Sequence, residues 1–514
     1  MPNRSNIALF QLVKSLKKSE KRNFKLFVKR NSAAEDLKVI QLFDALDKMA
    51  DYNEKVLLKK NAAISKSQLS NLSANLYKQI LGSLRLIKDE DNIDIQLHEQ
   101  MDHARILYNK GLYIQSLNIL DKMKKQAAAH HQVTYLMQVL FFEKKIESLY
   151  ITRSIENRAD VLIGEAKYAT DKLNTITGLS NLALKLYSWY IKHGHARTKG
   201  DDAAIKKLFT ENLPEGANLS ENFYEKLYLY QSYSWYSFIR QDFLLYYRYT
   251  QKWVDLFSAE PFMIEVETSH YIKGMHNLMG AHFDLRNYKK LELALHQFEK
   301  FSKQNVVLQN ENNLIQTFVY LYTSKLNKHF LDGSFEEGLK LVPEIEDKLK
   351  EYELYLDRHR ILVFYYKIAS LYFGSGDSST AIDYLHKIIN WKVDLRTDLQ
   401  CYSRLLHLIA HYELGNYDLM EYLIKSVYRF MAKMENMSVV EEEMFKFLRL
   451  SFHLTEKNIK PELEKLLRKL KKHEHNRLET RAFLYLDVIS WLESKINNIP
   501  VQQVIQNKFL ASKK

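Results

Sequence analysis

Cysteine occurs once in the 514 residues, at Cys401. No disulfide within the chain can staple the fold, and no cysteine-rich metal site can form. Proline and glycine are scarce, at 6 and 14. That disfavours a protein of strands and tight turns and favours long helices. No uncharged apolar run approaches the ~18 residues that would cross a bilayer. The apolar run Ile7–Phe10 is cut by Gln11, and Lys14 follows without a small-residue cleavage site, so a secretory leader is not expected. The expectation is a cytoplasmic protein with no membrane span.

Catalytic and metal signals are equally thin. His98-Glu99 is followed by His103, one residue later than a zinc-protease helix needs. Five residues turn a helix by ~140°, so the two rings diverge. His130-His131, His193/His195 and His473/His475 lack a carboxylate or cysteine at useful spacing. FGSGDS at Phe373–Ser378 has two glycines but no following Lys-Ser/Thr, so it is no phosphate loop. Nothing pairs a nucleophile with a base. The chain reads as a non-enzyme with no metal and no cofactor.

Positive charge is in excess, but only locally. The net charge is +13. Residues 1–30 hold nine Lys/Arg against one Glu, and residues 457–481 hold nine against four. Those two segments contain the whole excess, so basic character needs a local explanation.

What the chain has in abundance is aromatic residues, 33 of them tyrosine. They recur in one phrase: an aromatic, a short turn, and a second aromatic five residues on. It reads YNKGLY at Tyr108–Tyr113, FIRQDF at Phe238–Phe243, FDLRNY at Phe283–Tyr288, FLDGSF at Phe330–Phe335 and YELGNY at Tyr412–Tyr417. FGSGDS keeps the first aromatic alone. Weaker copies lie at Tyr150–Ile155, Arg197–Asp202 and Leu454–Ile459. Successive phrases end 39 to 47 residues apart. A nearly fixed period of this size marks a stack of repeats, each touching only its neighbours. Two helices of ~17 residues and short turns fill such a period. Each phrase should join the end of one helix to the start of the next.

The expected fold is all-α. Residues 1–95 form a small basic helical unit, and 96–495 form a right-handed superhelix of long helical hairpins. A break is expected near 211–221, where Pro214 and Gly216 lie, and 496–514 form a C-terminal cap and tail. Ser19 is the expected N-cap of a second helix. Pro461 should stand in a first turn, and Pro343 should kink a helix.

The repeats resemble the tetratricopeptide family. Around Gly376 the residues Ala369, Tyr372, Phe373, Gly376, Asp377 and Ala381 fall in register. Around Gly415 they are Tyr412, Gly415, Asn416 and Tyr417. Around Gly111 they are Ala104, Leu107, Tyr108, Gly111, Tyr113 and Ser116. The period here is longer than the family's ~34, and the closing proline is missing. The resemblance implies a peptide-holding groove lined by the first helices. Carried over, its positions are Tyr228, Gln231, Trp235 and Phe238, then Lys273, His276, Gly280 and Phe283. Tyr320, Thr323, Asn327 and Phe330 follow, then Tyr366 and Phe373, then Tyr402 and Tyr412. Aromatics suit peptide binding because they offer rigid contact area at low entropic cost. Packing between helices is the alternative use of each ring.

In the N-terminal unit Lys14, Lys17, Lys18, Lys21 and Lys25 fall largely on one side, as contacts to an anionic partner would. Residues 457–481 offer a second such segment. Residues 57–79 resemble a helix-turn-helix in outline. Leu58, Ala62 and Ala63 precede a turn at Ile64–Lys66, and Lys66, Ser67, Gln68, Ser70, Asn71 and Ser73 are types that reach phosphates and base edges. The turn lacks glycine. The expected function is therefore a non-catalytic scaffold that binds a protein or peptide in the groove. The alternative is a ligand-responsive regulator whose N-terminal unit binds DNA.

Overall fold

A computed structural model describes residues 4–30, 36–61, 63–86, 92–150, 157–219, 221–391, 397–434, 439–451, 456–479, 483 and 487–513. The phrases at Tyr150–Ile155 and Leu454–Ile459 run partly outside the described residues, as does the helix-turn-helix outline at Ala62. Among the described residues every regular element is helical and none is a strand. None of these helices is long and apolar enough to cross a membrane. The chain divides into two compact units, Met1–Gln96 and Leu97–Lys514.

The first unit holds helices Arg4–Ser15, Lys18–Arg30, Asp36–Lys48, Glu54–Lys60 and Lys66–Arg85. Leu9, Val13, Phe24, Val28, Leu42, Phe43, Leu76 and Ile80 form its core. Phe24 meets Phe43 at 4.7 Å between ring centroids. Ser19 lies inside the second helix rather than capping it. Glu20 does the capping, accepting the Lys17 N–H at 2.7 Å. A glutamate at the third helical position that reaches back to the N–H before the helix is one half of a capping box.

The second unit is a series of helical hairpins. Several of its helices span 17 residues, among them Tyr113–Ala129, Phe223–Ile239, Phe243–Ala259, Thr268–Asp284, Thr397–Glu413 and Tyr417–Lys433. At six joints the last residue of the phrase is the first residue of the second helix: Tyr113, Phe243, Tyr288, Phe335, Ser378 and Tyr417. Two residues before each stands a residue in the left-handed region. These are Gly111, Gln241, Arg286, Gly333, Gly376 and Gly415, with φ from 53° to 97°. In five of the six turns an N–H reaches back five residues to a carbonyl of the closing helix. Leu112 donates to Leu107, Asp242 to Ser237, Asn287 to His282, Asp377 to Tyr372 and Asn416 to His411, at 2.8 to 3.1 Å. This is the Schellman bond that satisfies an orphan carbonyl at a helix end. Glycine fits it because only glycine enters the left-handed region without a Cβ penalty.

Small residues receive the rings of the preceding hairpin. A Cβ on Gly274 would lie 3.1 Å from Trp253, and Gly374 is closed in by Phe335; Gly338 is similarly closed in by His329 of its own hairpin. Ser116, buried, donates its hydroxyl to Ala104 O at 2.8 Å and ties a second helix to its first.

Three details differ from the sequence expectation. Arg158–His193 is one helix of 36 residues. It contains no proline, and Gly164 and Gly178 weaken a helix without breaking it. Pro343 stands in the first turn of Val342–Glu351, just after Phe335–Leu339 ends, so the helical pattern is broken at the proline rather than bent. Its fixed φ and missing N–H suit that position. Pro461 lies inside Glu456–Lys471 rather than in its first turn. Helices on either side of residues 211–221 are in contact: Ser232 of Phe223–Ile239 donates to Leu179 O of Arg158–His193 at 3.2 Å.

Candidate binding cavity

The helices Thr268–Asp284, Glu311–Asp332, Arg358–Ser375 and Thr397–Glu413 pack one against the next. With Phe223–Ile239 and Arg158–His193 they line a cavity of about 540 Å³. That volume falls in the range of small-ligand sites, ~300–1,000 Å³. Trp235, Phe238, Phe283, Phe330 and Tyr366 supply aromatic wall, and Lys273, Asn277, Asn327 and Lys367 supply polar groups.

Two features set its electrostatics. Lys367 donates to Asn327 Oδ1 at 2.5 Å. Its ammonium also stands over the rings of Phe283, at 5.8 Å, and Phe330, at 5.3 Å. A cation over an aromatic face is attracted by the ring's quadrupole. His276 stacks on Tyr320 with centroids 4.0 Å apart and planes 15° apart. Lys273 and Arg360 stand over the same tyrosine at 5.2 and 5.9 Å. Burial, and then the neighbouring Lys273, Arg360 and Lys367, hold the His276 imidazole well below its usual pKa, so it is neutral. The ring lies deep, yet one part of it faces the cavity. Its Nδ1 is enclosed and has no hydrogen-bond partner.

Of the groove positions carried over from the sequence, Trp235, Phe238, His276, Gly280, Phe283, Asn327, Phe330, Tyr366 and Phe373 line the cavity. Tyr320 stacks on His276 and does not itself line the cavity. Tyr228, Gln231 and Tyr402 do not line it. Tyr228 packs edge-on against His270 at 6.0 Å. Tyr402 is buried, while Leu399 and Leu406 on the same helix reach the cavity. Tyr412 is also buried, against Phe447 and Trp491.

Sequence reasoning missed the wall supplied from the C-terminal end of the chain. Phe483, Asp487, Val501, Ile505, Lys508 and Phe509 all line the same cavity. The only local sign was an apolar stripe at helical spacing after Pro500. Such a stripe says that a helix docks and not where.

The basic N-terminal lysines divide. Lys14 donates to Asp47 O at 2.7 Å, while Lys21 and Lys25 pair with Asp47 and Asp44 at 2.6 Å each. Lys17 and Lys18 are exposed. On helix Lys66–Arg85, Lys66, Ser67, Gln68, Ser70 and Asn71 are exposed and Ser73 is buried. In the basic segment near the C-terminal end, Lys469 pairs with Glu443 and Lys471 with Glu493, at 2.7 and 2.8 Å.

His386, His407 and His411 form a row, with Nε2 to Nε2 distances of 3.4 and 3.2 Å. Among the described residues no group of three or more His, Cys, Asp or Glu is placed to hold a metal ion.

No protein-family model matches the chain, and no curated protein matches it.

Proposed function

We propose that residues 96–495 form a tetratricopeptide-like right-handed superhelix, and that the chain is a non-catalytic scaffold. In this reading it holds an extended or helical segment of a partner against its first helices. The observation that carries the reading is the cavity. Trp235, Phe238, Phe283, Phe330 and Tyr366 converge there with Lys273, Asn277, Asn327 and Lys367. Rigid aromatic surface with a few placed polar groups is the composition of binding hot spots. Lys273 and Lys367 favour a segment that brings an acidic group to that end. Exposed charge is screened beyond ~8–10 Å at physiological salt. Binding should therefore weaken with added salt and persist through the aromatic contacts.

The test is capture of a partner from native extract by the full chain and by a Trp235→Ala/Phe238→Ala double variant of equal helix content. Capture by the wild type and loss in the variant support the reading. Undiminished capture by the variant moves the site elsewhere.

A second reading has the N-terminal unit binding DNA as part of a regulator. The exposed face of Lys66, Ser67, Gln68, Ser70 and Asn71 favours it. The engagement of Lys14, Lys21 and Lys25 with the third helix of that unit weakens it. A mobility-shift titration with duplex DNA at 50 and 200 mM salt decides. Phosphate contacts give a steep salt dependence, and no shift at 50 mM removes this reading.

A further inference from the structure

The last helix of the chain packs on more than the helix that precedes it. Val501–Ser512 packs on Val488–Asn497, and also on Glu311–Asp332 and Arg358–Ser375 far earlier in the sequence. Gln506 donates to Gly333 O at 3.1 Å, across a separation of 173 residues. The fit extends to backbone. A Cβ on Gly333 would lie 2.9 Å from Gln502 O and 3.0 Å from Gln506 N. Phe509 packs on Tyr288 at 4.7 Å, and the Lys513 ammonium stands over both rings, at 4.2 and 5.5 Å.

The residues this helix gives to the cavity are Val501, Ile505 and Phe509, with Lys508 and Ser512 beside them. The three apolar ones stand at i, i+4 and i+8. That spacing is one face of a helix, and it is how an amphipathic helix is read by an apolar groove. The opposite side is exposed at Gln503, Asn507 and Leu510.

The preceding helix is the firm anchor. Trp491 is buried and donates its indole N–H to Glu413 at 2.6 Å, and Lys495 pairs with the same carboxylate at 2.6 Å. Lys508 ties the last helix to that anchor through Glu493 at 2.7 Å and Ser490 at 2.8 Å. Between the two helices lie Asn498, in the left-handed region at φ 53°, then Ile499 and Pro500. The result is a firmly held base, a short joint, and a helix resting on the binding face.

We propose that Val501–Ser512 is an intramolecular occupant of the binding face, standing in for a ligand of the same kind. That ligand is an amphipathic helix with apolar anchors at i, i+4 and i+8, and it binds by displacing this one. The inference rests on the reading of this face as a binding face. A short joint gives a tethered segment an effective concentration of the order of millimolar. A free helix must therefore compete with it, and weak or promiscuous ligands are excluded.

The test uses a fluorescein-labelled synthetic peptide of residues 499–514 and fluorescence anisotropy. It is titrated into the full wild-type chain and into a full-length Ile505→Asp/Phe509→Asp variant. Hydrogen exchange across 501–512 reports release of the variant's own helix. The expected result is at least tenfold tighter binding to the variant than to the wild type. A peptide carrying the same two substitutions should bind neither. Should the double variant lack wild-type helix content, Phe509→Ala makes the same comparison with Val501 and Ile505 in place, and an intermediate gain is expected. Equal affinity for wild type and released variant overturns the proposal, as does absence of binding to a folded variant whose helix is released. If that happens while capture dependent on Trp235 and Phe238 persists, the binding face stands and only its helical stand-in falls. If the peptide binds the released variant but Trp235→Ala/Phe238→Ala leaves partner capture intact, the helix docks as proposed and the functional reading falls.

Discussion

Gly374 lies directly against the ring of Phe335. A Cβ on Gly374 would stand 2.9 Å from Phe335 Cζ and closer still to two other ring carbons. Both residues belong to the repeated phrases, one to FLDGSF and the other to FGSGDS. The contact shows why a glycine is kept inside Arg358–Ser375, where alanine would favour the helix by ~1 kcal/mol. Phe335 is buried among packed neighbours and cannot retreat. Gly374→Ala should therefore be destabilising, because overpacking of ~1–3 kcal/mol exceeds the gain in helix propensity. Thermal unfolding followed by circular dichroism measures the sign. A raised melting temperature would show that the ring moves aside freely.

Phe335 and Tyr417 hold the same place in their phrases and have different surroundings. Phe335 is 3% exposed and Tyr417 is 54% exposed. Tyr417 still meets Tyr412 at 6.2 Å, but much of it faces solvent. Phe335→Ala is expected to lower stability by ~3–5 kcal/mol, as truncation of a buried ring does. Tyr417→Ala should change it by less than ~1 kcal/mol. Denaturant midpoints at equal m-value give both numbers, and similar losses at the two sites would contradict the difference in packing.

The hairpin joints were legible because their determinants are local. An αL residue, a polar capping position and two rings within six residues fix where one helix stops and the next begins, even where Gln241 and Arg286 replace glycine. The positions of Trp235, Phe238, His276, Phe283, Phe330 and Tyr366 on one wall were legible for a related reason. Equivalent positions of stacked first helices share a face. Tyr228 and Tyr402 show the limit, since each belongs to a first helix and neither reaches the cavity. The part of the lining supplied from the C-terminal end was not legible. Ile505 and Phe509 meet residues far earlier in the chain, and a contact made at long range leaves no periodic mark near either partner. The 36-residue Arg158–His193 helix was missed because the repeat period suggested a break that no proline or cap enforces.

His407 makes stability depend on pH. Burial, and then His411, His386 and Arg404 around it, push its pKa down to about 3. In the unfolded chain a histidine titrates near 6.5. Between these values the unfolded state binds more protons, so stability rises with pH. The contribution is fully present above ~6.5 and is lost as pH falls from there toward 3. For one such group the loss between pH 7 and pH 5 is about 2 kcal/mol. His282, held down to about 4 chiefly by burial, acts in the same direction. His407→Gln should flatten the fall in stability between pH 6.5 and 5 without abolishing it. Urea unfolding at pH 7, 6 and 5 measures the slope, and an unchanged slope in the variant would mean that His407 is protonated in the folded protein.

Gly333 and Gly376 separate the cost of a turn from the cost of a docked helix. Both occupy the left-handed position of their turns, at φ 72° and 97°. A Cβ on Gly376 would meet nothing within 4 Å. On Gly333 it would meet the backbone of the last helix, 2.9 Å from Gln502 O and 3.0 Å from Gln506 N. Gly376→Ala should thus show only the conformational penalty, ~1–2 kcal/mol. Gly333→Ala carries that penalty and a clash with backbone that cannot rotate away. Its extra effect should appear at one place, the amides of Val501–Ser512, whose protection from hydrogen exchange should fall while that of Val488–Asn497 is kept. Gly376→Ala should leave both helices protected. Equal exchange in the two variants would mean that the last helix does not rest on Gly333 in solution, and a loss spread over Val488–Asn497 as well would mean that the two helices move as one.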